Sequence, residues 1–60
     1  MRGEVTTFDE AAGTGAIAGD DGISYAFDAS SIRSVPPLPV GQRVDFVAAD
    51  GFATEIIALA

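Results

Sequence analysis

Apolar and polar side chains alternate along this chain in short bursts of about five to seven residues, and no apolar stripe with a helical period runs long enough for a regular helix. The alternation predicts five strands. Val5 to Phe8 lies in the first, and Asp9-Glu10-Ala11-Ala12-Gly13 supplies the loop after it. Thr14 to Gly19 forms the second and Ser24 to Asp28 the third, joined by Asp20-Asp21-Gly22, where Asp and Gly tolerate positive φ. Gln42 to Ala48 and Ala53 to Leu59 make the fourth and fifth, hinged on Asp50-Gly51, a dipeptide suited to tight hairpins.

Two connections have a different character. Asp28-Ala29-Ser30-Ser31-Ile32 suits a single helical turn, with Asp28 or Ser30 placed to cap its free N–H groups. Ser34-Val35-Pro36-Pro37-Leu38-Pro39 reads as an extended loop, because proline cannot donate into a ladder and restricts the residue before it. Five short strands with no regular helix predict an all-β fold: a small antiparallel barrel of the oligonucleotide-binding (OB) type, formed by residues 1–60 as one domain.

Strand parity assigns the faces. Val5, Ile17, Tyr25, Phe27, Val44 and Phe46 point inward, joined by Ile32, Leu38, Ile56 and Leu59. Thr14, Ala16, Ala26 and Asp28 point outward, together with Thr6 or Thr7 from the first strand. Ile56 and Ile57 are consecutive, so one of them faces away from the core and, with Phe52, offers a subunit contact; a lone exposed isoleucine is the plain alternative.

Composition limits what the core can do. A 60-residue chain buries only about 60% of its unfolded surface. Without cysteine or histidine it has no disulfide and no Cys/His zinc site to reinforce it. The apolar core must then suffice alone or with a second subunit. Hydrophobic residues make up 48% of the chain and charged ones 20%, too apolar for a disordered acidic tail. No run approaches the roughly 20 apolar residues of a membrane span, and no secretory layout opens the chain, so a cytoplasmic protein is expected.

Charge changes the picture more. Nine acidic residues face Arg2, Arg33 and Arg43, there is no lysine, and the net charge is −6. Nucleic-acid binding draws affinity from Lys and Arg neutralising phosphates, so an anionic surface opposes it. Solubility is the simpler use of such acidity, but three scattered arginines make a local basic patch a poor expectation.

Five segments, in order and with fitting spacing, carry a resemblance to a known family. They are Gly3-Glu4-Val5-Thr6-Thr7-Phe8-Asp9, Gly13-Thr14-Gly15-Ala16-Ile17, Asp20-Asp21-Gly22, Tyr25-Ala26-Phe27-Asp28-Ala29-Ser30-Ser31-Ile32, and Leu38 with Gly41-Gln42-Arg43-Val44 and Phe46. Together they resemble the cold-shock domain, with its Gly-Thr-Val-Lys-Trp-Phe-Asn, Lys-Gly-Phe-Gly-Phe-Ile, Asp-Asp-Gly, Val-Phe-Val-His-Phe-Ser-Ala-Ile and Leu-x-x-Gly-Gln-x-Val-x-Phe. The likeness covers nearly the whole chain; only the last hairpin, here the compact Asp50-Gly51-Phe52, departs from the longer basic loop of the family. The resemblance implies an OB-type barrel that binds single-stranded RNA or DNA in transcription or translation control.

Its binding residues fall on Thr6, Thr7, Phe8, Thr14, Ala16, Ala26, Asp28 and Ala29, and the carry-over fails at Thr7, Thr14, Ala16, Ala26, Asp28 and Ala29. Each base stacked on a ring is worth about 1–3 kcal/mol, so three lost platforms remove roughly 3–9 kcal/mol. A whole micromolar complex is held by about 8 kcal/mol. Phe8, expected to pack at the barrel edge, and Phe52, at a hairpin tip, are the rings left as contacts, with Arg43 as a further one.

Other motifs fall to simpler readings. Gly13, Gly15 and Gly19 lack the strand and helix context of a dinucleotide loop; Gly13 permits a turn and Gly15 lets the barrel wall bend. Asp20-Asp21-Gly22 lacks the alternating carboxylates of a calcium loop, so no metal or cofactor is expected. The P-x-x-P spacing of Pro36 to Pro39 encloses Leu38, a core anchor, and reads as a rigid loop rather than a groove ligand. Histidine, cysteine and lysine are all missing, and Asp9 and Glu10 sit on a solvated loop, so an enzyme is not expected. The reading that results is a non-catalytic binding module with weak or lost nucleic-acid affinity and a protein partner or homo-oligomer. Its alternatives are a working cold-shock protein using a shifted surface, and a natural or engineered scaffold with the binding face removed.

Overall fold

A computed structural model describes residues 1–34 and 38–59 of the chain. Within them run β1 (Arg2–Asp9), β2 (Thr14–Gly19), β3 (Ser24–Asp28), a 3-10 turn at Ala29–Ser31, β4 (Arg43–Ala49) and β5 (Phe52–Ala58). The strands close into a barrel in the order β1-β2-β3-β5-β4. All pairings are antiparallel except β3 with β5, which meet in parallel through Ala26 and Phe52. The architecture is therefore all-β and OB-like, as expected from the alternation. No helix among the described residues is long and apolar enough to cross a membrane. Val35, Pro36 and Pro37, where most of the proline loop and its P-x-x-P spacing fall, lie outside the described residues.

Turn chemistry sets the hairpins. Asp50 and Gly51 both have positive φ, at 53° and 82°, which gives β4 and β5 the two-residue turn whose twist suits a hairpin. In the β2–β3 turn Gly22 has a φ of 85°, while the Asp21 carboxylate accepts the N–H of Ile23 at 3.0 Å. After β3, the Ile32 N–H donates to the Ala29 carbonyl, and Ile32 then bridges in parallel to Ile56. That stretch extends the β3–β5 seam and helps close the barrel. Asp28 stands at the cap position, but its carboxylate makes no cap bond to the backbone; Oδ1 accepts the hydroxyls of Ser30 and Ser31 instead.

The interior is wholly apolar among the described residues: Val5, Ile17, Tyr25, Phe27, Leu38, Val44, Phe46, Ala53 and Ile56. Ile32 is half-buried against this cluster, and Leu59 is half-buried as well, so both lie at the rim of the core rather than within it. Tyr25 keeps its ring inside and reaches out to donate its phenol proton to Asp21 Oδ2 at 2.6 Å. A buried aromatic with a wet polar tip is a stable arrangement.

Two bulges decide which residues face in. Opposite β2, β1 slips between Val5 and Thr7, so Val5 pairs with Ile17 and Thr7 with Ala16. Thr6 becomes the extra residue, and the parity of the strand reverses beyond it. Val5 and Phe8 thereby both turn inward, which strict alternation forbids for positions three apart. The second bulge, in β5 opposite Asp45 to Val47, places Glu55 in the left-handed region with a φ of 51°. It sets Ala53 and Ile56 on the same inner side and leaves Ile57 outside.

Candidate binding face

Residues on β1, β2 and β3 line up in rows across the sheet, alternately inside and outside the barrel. Phe8, Gly15 and Phe27 form one inner row. The rings of Phe8 and Phe27 lean toward each other across the glycine and stack, with centroids 5.7 Å apart and planes 19° from parallel. Gly15 has to be glycine here, because a Cβ would lie 2.5 Å from the Thr7 carbonyl oxygen and 2.7 Å from Phe27 Cζ. Phe8 is thus half-buried at the barrel edge and one of its faces is taken.

The outer rows on either side of it are built differently. Asp9, Thr14 and Asp28 form one, and Thr7, Ala16 and Ala26 form the other, continued by Phe52 across the parallel seam. Thr6 is exposed at the bulge, where its hydroxyl donates to the Ala16 carbonyl at 3.2 Å, and Ala29 is exposed at the start of the 3-10 turn. The residues selected from the sequence therefore do come together on one wall: Thr6, Thr7, Thr14, Ala16, Ala26, Asp28 and Ala29 all lie on or beside it. Nothing they carry can stack on a base.

The seam between β3 and β5 opens into a groove of about 420 Å³, lined by Thr14, Gly15, Ala26, Phe27, Asp28 and Phe52. Its floor is low because Ala26 carries only a methyl group, and Phe52, 58% exposed, stands as one wall. Gly15 and Phe27 belong to this groove although parity reads them as interior. The lining combines strands that meet at the Ala26–Phe52 bridge, which no local pattern announces. Val47 and Ile57 are also about half exposed on the outer face of the β4–β5 hairpin, at 52% and 48%. Ile57 was legible from the Ile56-Ile57 pair; Val47 could have been found by the same parity.

Two of the three arginines are paired with carboxylates, and Arg2 lies opposite Asp45 at the other end of β1. Arg43 makes a two-pronged bond to Asp20, at 2.9 and 3.1 Å, and Arg33 makes one to Glu55, at 3.1 and 3.2 Å. These bonds hold the Asp20 and Glu55 carboxyls below the usual carboxylate range and push both guanidinium groups further up. Arg43, selected as a contact residue, is committed to an internal partner. Asp21 is held low mainly by the Tyr25 hydroxyl, and Tyr25 is raised in turn. Asp28 is held low mainly by the Ser30 hydroxyl. Among the described residues no three His, Cys, Asp or Glu side chains gather as metal ligands. In comparisons with known protein families and with curated proteins, nothing matches this chain.

Proposed function

We propose that this barrel is a diverged cold-shock-like domain that acts as a non-catalytic protein-interaction module, with weak or no affinity for single-stranded nucleic acid at physiological salt. The observation that carries the reading is the outer row Thr7–Ala16–Ala26, flat and ringless on the wall where the resemblance calls for stacking platforms. Stacking supplies about 1–3 kcal/mol per base, and none of these three side chains can provide it; Phe52, across the seam from Ala26, is the one ring beside them. Charge works in the same direction. The two-pronged pairings of Arg33 and Arg43 leave few cations for phosphates on a chain of net charge −6.

Fluorescence anisotropy with labelled heptathymidine at low salt tests this. No saturable signal is expected, and saturable micromolar binding would overturn the reading. One observation favours a second reading, in which nucleic acid is bound by a shifted surface: the Phe52 ring is exposed beside a groove. That reading requires a salt-dependent affinity that is lost on Phe52→Ala, Phe8→Ala or Arg43→Ala.

A further inference from the structure

Asp28 is the one carboxylate lining the groove, and its charge is not compensated. The ion pairs among the described residues go to Asp20, Asp45 and Glu55. The hydroxyls of Ser30 and Ser31 converge on Asp28 Oδ1, at 2.6 and 3.3 Å, which fixes the carboxylate. Arg33 does come near this corner, donating from Nη1 to the Ser30 carbonyl at 3.2 Å, but its other nitrogens are bonded to Glu55. The Ser30 hydroxyl, not a cation, is the main cause that holds the Asp28 carboxyl below the ordinary value. A fixed, ionised and unpaired carboxylate at the end of an apolar groove invites a cation on an apolar stem.

Arginine fits that description better than other side chains. Its methylenes can lie along Ala26 and Thr14, its plane can rest on the Phe52 ring, and its fork can engage Asp28. We infer that the groove between β3 and β5 is a docking site for an arginine side chain on a basic segment of a partner protein. This rests on the protein-interaction reading above and gives it a ligand chemistry. Charge complementarity selects the occupant. A second copy would bring −6 against −6, and a nucleic acid would bring phosphates toward Asp9 and Asp28. Beyond Phe52 the outer hairpin face continues through Ala49, its cross-strand neighbour, to Val47 and Ile57, which gives apolar side chains next to the arginine a place to lie.

The test is a titration of the ¹⁵N-labelled protein with a short peptide carrying arginine between alanines, and with the same peptide carrying citrulline, which keeps the stem and shape but not the charge. Saturable shifts at Ala26, Asp28 and Phe52 are expected, with affinity at least about tenfold weaker for citrulline and for the exposed-site variants Asp28→Asn and Phe52→Leu. Phe52→Leu keeps the apolar wall and removes only the π face, so folding is not at stake. Shifts elsewhere, no shifts, or equal binding of citrulline overturns the arginine site. Concentration-dependent sedimentation abolished by Phe52→Ser overturns it too, since the occupant would then be a second copy. A parallel titration with heptathymidine separates the two claims: saturable shifts at Thr14, Ala16 and Ala26 would sink the interaction reading itself, whereas silence from both probes would sink only the arginine site.

Discussion

The inner row Phe8–Gly15–Phe27 and the outer row Thr7–Ala16–Ala26 lie on the same three strands, one residue apart, and answer to different constraints. Inside, each choice is forced by its neighbours: two rings stack, and the glycine between them has no room for a methyl group. Outside, Thr7 and Ala26 are exposed and Ala16 is half-buried, and none of the three belongs to the core cluster. The fold therefore requires the inner row and merely permits the outer one. Core packing does not account for the small residues on the outer wall.

Breaking the inner side should cost the most. Phe46→Ala removes the largest side chain that is fully buried, and a loss of about 3–5 kcal/mol in stability is expected from urea unfolding. Gly15→Ala should lose about 1–3 kcal/mol by overpacking against Phe27 and the Thr7 carbonyl, while Ala26→Ser on the outer row stays within about 0.5 kcal/mol. Equal effects of those last two variants would erase the distinction between the rows. Restoring rings sharpens it from the other side. Each of Thr14→Phe, Ala16→Phe and Ala26→Phe should add about 1–3 kcal/mol to oligonucleotide affinity, read by anisotropy, with little change in folding. Should the rings recover binding and lower the melting temperature together, the wall is better explained as a scaffold adapted for stability.

The smallest expected effect is on pH dependence, and it belongs entirely to the outer surface and turns. Asp20, Asp21 and Asp28 titrate below 3.8 and Glu55 below 4.5 in the folded protein, so the stability they add is present above those ordinary values and lost as pH falls through the lowered ones. Tyr25 titrates above 10.0, so its contribution is complete below that value and lost as pH rises through the raised one. Urea midpoints should be level between about pH 5 and 9 and fall on both sides. Asp21→Asn should flatten the alkaline limb and reduce the acid one. An alkaline limb unchanged by that substitution would mean that the Tyr25–Asp21 bond is not its source.

How far the residues could be read in advance differs from strand to strand. β2 and β3 run over the residues expected, because a clean two-residue alternation is bounded by Gly13 on one side and by Asp20-Asp21-Gly22 in the middle. β1 runs longer than its apolar stretch, from Arg2 to Asp9, since Arg2, Gly3 and Glu4 are held by pairing with β4 rather than by their own propensity. β4 and β5 are each displaced by one residue at the ends, the scale on which the Asp50-Gly51 turn, not the strands, fixes the boundary. On the candidate wall the outward side chains were legible from parity, but the groove and the pairing of the arginines were not. Asp20 lies 23 positions from Arg43, and Glu55 lies 22 from Arg33.

Local pattern alone therefore settled the number of strands, most of the interior and the poverty of rings on the outer wall, because alternation and turn chemistry act over a few neighbouring residues. Tertiary structure decided the rest: the bulge at Thr6 that turns Phe8 inward, the seam where Ala26 meets Phe52 and opens a groove, and the carboxylates that occupy Arg33 and Arg43. These depend on closing the barrel, which brings together residues whose separation along the chain carries no signal of their contact.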